Sequence, residues 1–195
     1  MKIYRYIIPL FLFFSGVSEA NQPDVFLKET VDKISHFITE NKEMLENDEQ
    51  YLKEKVNELV MPVLDIGLMS KIVLGKRNWI AANLKQQEAF ESAFKDLLIR
   101  TYMKSLTEFD GEKIKFLPYK PGKKKNLAKI KSLYLIDGGD IPVDYRLKVN
   151  SNNEWKVYDI VFDGVSLLKN YRTDFQEHIQ NNGINSLIAE LSEDK

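Results

Sequence analysis

The stretch 158-YDIVFDGVSLLKNYRTDFQEHI-179 changes period in its middle. Tyr158, Ile160 and Phe162 alternate with polar or smaller neighbours, the two-residue period of a strand. Gly164 interrupts, and Leu168, Tyr171, Phe175 and Ile179 then recur at helical spacing. A strand that passes almost directly into a helix fixes what can stand on either side of it. It also poses a choice for Ser166, in Gly164-Val165-Ser166-Leu167-Leu168. A nucleophile elbow needs glycine two residues away on both sides, and here Leu168 holds the second position. His36 and His178 are the only histidines, and both fall on helical segments with polar neighbours. Ser166 is therefore expected to cap the helix that follows it.

Upstream of this stretch, residues 112–163 keep period two. "KIKFLPY" and "LAKIKSLYLI" read as strands joined by the basic turn "KPGKKKN". "IPVDYRLKV" and "WKVYDIVF" read as a hairpin around "SNNE". With Asn152-Asn153 at its centre, Val143 faces Phe162, Tyr145 pairs with Ile160 and Leu147 with Tyr158. Those six side chains share an apolar face. Asp144, Arg146 and Lys148 share the other, with Trp155, Val157 and Val161. "DGGD" at 137–140 is expected to be a turn rather than a metal site. Asp159 is expected to face solvent or an arginine, with Asp163 in the turn.

Residues 23–109 read as helical. Leu27, Val31, Ile34 and Ile38 form a stripe. Asp48 caps a second segment that Pro62 ends or kinks. Asp65 caps a short helix through Leu74, which Gly75 stops. The longest helix runs from about Lys85 to Phe109, with Phe90, Phe94, Leu98, Tyr102 and Leu106 on its apolar side. A last short helix carries Ile184, Leu187, Ile188 and Leu191. The order implies an α+β fold, with helices packed on one face of a curved, mainly antiparallel four-stranded sheet.

The N-terminus has the pattern of a signal peptide. Lys2 and Arg5 precede an apolar run from Ile7 to Phe14, and Ser18-Glu19-Ala20 is a small-residue cleavage site. The run is too short for a membrane span. Residues 1–20 are expected to be removed near Ala20, leaving a domain over residues 21–195. The chain has no cysteine, which excludes a disulfide scaffold, a thiolate metal site and a catalytic thiol. It also excludes a lipid-modified N-terminal cysteine. A net charge of −1 speaks against a nucleic-acid partner. "PGKKKN" lacks the first glycine and the Ser/Thr of a phosphate loop. No cofactor or metal is expected.

What stands out is apolar surface on the sheet and on the long helix. Here a family resemblance enters. "VMPVLDIGLMSKIVLGKRNW" at 60–79, "QQEAFESAFKDLLIRTYMKSL" at 86–106, "VDYRLKV" at 143–149 and "EWKVYDIVFDGVSLLKNYRTDFQEHIQNNGINSLIAEL" at 154–191 resemble the MlaC family. These are periplasmic phospholipid-binding proteins, also known as toluene-tolerance auxiliary proteins. The resemblance implies a soluble periplasmic phospholipid carrier, with acyl tails in an apolar cavity between sheet and helices. It implies docking on an outer-membrane lipoprotein–porin complex and on an inner-membrane ABC transporter with an MCE-domain ring. Together these would maintain outer-membrane lipid asymmetry, with the carrier a monomer and not an enzyme.

Candidate lipid-binding residues follow from side-chain chemistry. Tyr102 and Tyr145 can cover an acyl chain while keeping a hydroxyl at a wet edge. Trp79 could form a lip, and Val165 sits where a mouth would open. Ile72, Leu98, Leu106, Leu147 and Ile160 serve either as cavity wall or as core. Two other readings stand beside the carrier. One is a periplasmic adaptor that binds only protein; the other is a hydrolase built on Ser166.

Overall fold

The computed structural model describes residues 22–193. The expected signal peptide therefore lies outside the described residues. Helices α1 (Pro23–Glu40), α2 (Lys42–Asn47), α3 (Glu49–Lys55), α4 (Ile66–Ala81) and α5 (Leu84–Thr107) come first. Strands β1 (Lys113–Phe116), β2 (Leu127–Ile136), β3 (Gly139–Val149), β4 (Trp155–Phe162) and β5 (Val165–Ser166) form one antiparallel sheet in chain order. Helices α6 (Leu167–Asn182) and α7 (Ile184–Glu193) close the chain. The fold is α+β as expected, with a short fifth strand added at the edge.

Local chemistry accounts for most element ends. The Asp48 side chain accepts from the Tyr51 N–H at 2.9 Å, and that of Asp65 from Leu68 N–H at 2.9 Å. Asn83 and Gln86 form a reciprocal capping box at the start of α5. The segment after Asp48 is helical only to Lys55. A π-helical turn (Val56–Val60) and a 3-10 turn at Met61–Val63 carry the chain past Pro62. Gly75 breaks α4 as expected, with φ +72° and ψ 155°, but the helix resumes beyond it. The freed Leu74 carbonyl accepts from Gln176 Nε2 at 2.6 Å and Asn78 Nδ2 at 3.1 Å. Those donors replace the bonds that the kink removes.

Three apolar clusters organise the interior. Phe90 and Phe94 of α5 stack at 5.8 Å, and Phe175 of α6 meets both edge-on. Leu74 of α4 and Leu187 and Leu191 of α7 complete that cluster. The C-terminal half of α1 packs with α2, α3 and the second half of α5, through Ile38, Leu45, Leu52, Ile99 and Met103. The N-terminal half of α1 lays Phe26, Leu27 and Val31 on the sheet, over Ala128, Ile130, Leu147, Trp155 and Val157.

The β3–β4 register differs from expectation at one point. Val143 pairs with Phe162 and Tyr145 with Ile160, as expected, but Leu147 pairs with Val157 and not with Tyr158. A β-bulge between the two halves of the ladder inserts one residue into β4. Beyond a bulge the alternation shifts by one. Val157 and Trp155, expected on the polar face, therefore join Leu147 on the apolar face. Tyr158 is the extra residue and packs against the α4–α7 cluster.

Candidate functional site

The bulge divides the apolar face of β4 into two regions. On one side of it, Trp155, Val157 and Leu147 are buried beneath α1. On the other, burial changes sides: Asp159 and Val161 of the opposite face are buried, Ile160 is half-buried and Phe162 is 50% exposed. Val165 is Phe162's partner across the turn and is 52% exposed. The turn uses Asp163 and Gly164 at φ +47° and +79°. Two successive positive values make the tight connection that matches the twist of a hairpin. Val143, Tyr145, Ile160, Phe162 and Val165 thus form an apolar surface that the helices cover only in part.

Asp159 explains why the opposite face is closed there. It is 2% exposed. Its Oδ2 accepts from Arg146 Nη1 at 2.7 Å and from Ser166 Oγ at 2.8 Å, and its Oδ1 from Leu168 N–H at 3.2 Å. Ser166 Oγ accepts from Lys169 N–H at 3.2 Å, so the serine is the helix cap. A carboxylate at a helix N-terminus, paired with a guanidinium, is a satisfied buried charge. The choice of solvent or arginine for Asp159 resolves to the arginine. No histidine is among the partners of Ser166. His178 instead meets Ser186 and Glu190, and His36 meets Glu40.

The tyrosines fall into two environments. Tyr145 packs near Phe116 at 6.4 Å, and burial pushes its phenol up, with the Ser132 hydroxyl acting in the opposite direction. Tyr102 is 42% exposed, with its hydroxyl 3.5 Å from that of Tyr171. Desolvation first, and that contact second, push the Tyr102 phenol up as well. Tyr171 rests edge-on against Phe94 at 5.4 Å.

The nine candidate residues do not gather at one point. Tyr145, Ile160 and Leu147 share the sheet face, the first two as a cross-strand pair, and Val165 lies at its open end. Leu98, Tyr102 and Leu106 follow one another at one-turn intervals on α5. A row of every fourth residue winds around a helix. Leu98 accordingly enters the α4–α7 cluster, Leu106 packs with α1–α3, and Tyr102 is left between them. Ile72 and Trp79 pack at the edge of the α4–α7 cluster and line a separate pocket at the α4 kink. The sequence reading missed Phe162 as a site residue, Tyr171 as the partner of Tyr102, and the Arg146–Asp159–Ser166 network. Phe162 and Tyr171 stand in the apolar stripes of their elements. The network joins residues on three strands and leaves no local signal.

Helices on one face of a curved antiparallel sheet, with part of the apolar face left open, define an α+β protein of half-covered sheet type. The family model described as "MlaC protein" matches residues 28–193. The chain belongs to the MlaC family. It is 25% identical, over 98% of its length and 90% of the relative's, to the intermembrane phospholipid transport system binding protein MlaC of Haemophilus influenzae. It is 26% identical to toluene tolerance protein ttg2D of Pseudomonas putida, over 84% of this chain and 76% of that protein. A phospholipid-binding protein from Ralstonia solanacearum, solved in complex with a phospholipid, matches with TM-score 0.80 and 26% identity. That match covers 88% of this chain and 96% of the Ralstonia chain.

Proposed function

We propose that this protein is a phospholipid carrier. The observation that carries the reading is the exposed apolar pair Phe162 and Val165, continuous through half-buried Tyr145 and Ile160 with a buried core face. Kinship with a phospholipid-bound structure and with a protein of an intermembrane transport system supports it. In this reading acyl tails lie between the sheet and α5. Tyr145, Ile160, Phe162 and Val165 form the sheet wall and Tyr102 stands on α5, while Leu98, Leu106 and Leu147 serve as core and Ile72 and Trp79 belong to the separate pocket at the α4 kink.

The energetics set the mode of transfer. A buried methylene contributes about 0.8 kcal/mol, so two tails of some fifteen methylenes give roughly 24 kcal/mol gross. Ordering costs offset part of that. Release into water would still be too slow for transport, whereas exchange between a bilayer and an apolar pocket is nearly neutral. Lipid is therefore handed over while the carrier is docked. The partners are an outer-membrane lipoprotein–porin complex on one side and an inner-membrane ABC transporter with an MCE-domain ring on the other. The carrier works as a monomer in the periplasm after cleavage near Ala20, serves outer-membrane asymmetry and catalyses no reaction.

Mass spectrometry of organic extracts from the purified protein tests this. Phospholipid should co-purify, and Val165→Trp should lower it while the lipid-free fold survives. A parent that carries no phospholipid from a lipid-replete periplasm would favour an adaptor that binds only protein.

A further inference from the structure

The kink in α4 opens onto a pocket of about 360 Å³ lined by Lys71, Ile72, Lys76, Trp79, Ile80 and Arg172, with Gly75 between them. Lys71 Nζ stands 5.4 Å from the centre of the Trp79 ring, a cation–π distance. Arg172 approaches from α6 because Gly75 has no side chain. A Cβ there would meet its Nη2 at 3.2 Å. Among the described residues, Lys71, Lys76 and Arg172 have no ion-pair partner. From Ile66 to Gln87 the chain carries Lys71, Lys76, Arg77 and Lys85 and no acidic residue, in a protein of net charge −1. The Glu91 carboxylate lies beside Gly67, roughly two helical turns from the kink.

A second observation falls at the same corner. Ile80 lies in the last turn of α4 and Leu84 begins α5, and each is 70% exposed, more than any other large hydrophobic side chain among the described residues. Neither contributes to the core, and neither is part of the open sheet face. Unpaired cations around a small concavity, beside a tryptophan and two projecting aliphatic tips, match the layers of a lipid interface. Basic groups meet phosphates, the indole lies at head-group depth, and aliphatic side chains reach the acyl boundary.

We propose that the α4–α5 corner docks on an anionic lipid surface. Lys71, Lys76 and Arg172 receive a lipid phosphate in the pocket, and Ile80 and Leu84 enter the interface. An acidic protein would match the cations equally. The concavity, sized for a head group, and the flanking aliphatic tips favour lipid. The proposal concerns how the protein meets a membrane and is independent of what it holds on the sheet.

Flotation of the purified protein with vesicles tests it. Binding should be measurable with phosphatidylcholine–phosphatidylglycerol vesicles at low salt, absent with phosphatidylcholine alone, and weakened as salt screens the cations. Lys71→Glu with Lys76→Glu should lower the partition roughly tenfold or more, and Ile80→Ser with Leu84→Ser about fivefold. All four positions are exposed, so melting temperature and co-purified lipid should stay at parent values. That separates this result from a failure of lipid carriage. Equal binding to both vesicle types, or parent-like binding by the lysine variant, would overturn the proposal.

Discussion

Leu147 and Phe162 stand on the same face of the same sheet, in neighbouring strands, yet Leu147 is fully buried and Phe162 half-exposed. Their chemistry does not distinguish them. What differs is the cover. The N-terminal half of α1 ends over Leu147, Trp155 and Val157, whereas α5 sends its buried side chains into two helical clusters and none into the sheet cluster. One sheet face thus serves as core at one end and as free apolar surface at the other. Patches of exposed aromatic and branched side chains have a cost in water, so their retention points to use.

The comparison breaks if both ends respond alike to truncation. Leu147→Ala should cost about 3 kcal/mol, through lost transfer energy and the cavity it leaves. Denaturant unfolding measures this, and a loss no larger than that of Phe162→Ser would erase the distinction. Asp159→Ala should cost about 2 kcal/mol, because the N–H of Leu168 and the Ser166 hydroxyl lose their acceptor. Arg146 is partly solvated and loses less. Ser166→Ala should cost about 1 kcal/mol through the helix cap, and lipid should still co-purify. If lipid disappeared from a stable Ser166→Ala protein, the serine would have a role beyond capping. Phe162→Ser should change stability by less than about 0.5 kcal/mol and sharpen the comparison by lowering the phospholipid recovered with the protein.

Local signals made much of the fold legible. Asp48, Asp65 and Ser166 cap helices by bonds to residues three positions on, Gly75 interrupts α4, and "DGGD" turns the chain between β2 and β3. Each depends on a few neighbouring residues. The bulge was not legible, because it is a property of two paired strands and the alternation within β4 alone is unbroken. It moved Trp155 and Val157 to the apolar face. β5 has only two residues, too few for any period. Tyr145 and Ile160 were readable as apolar positions on one sheet face, and Val165 as an apolar residue at the strand-to-helix junction. Which of them helices cover depends on where α1 and α5 lie, and that is decided by packing between elements distant in sequence.

The short β5 has a further consequence, for solubility. A sheet with an exposed apolar face is a hazard if its rim can also recruit another chain, since edge pairing would lay apolar faces side by side into a growing ribbon. Both rims here are poor templates. β1 offers four residues, with Lys113 and Lys115 among them. At the other rim, β5 ends after Ser166 as α6 begins, and Asp159 ties that helix start to the sheet. The two strands best placed to extend the sheet are the ones cut shortest, which disfavours edge pairing beside the open apolar surface.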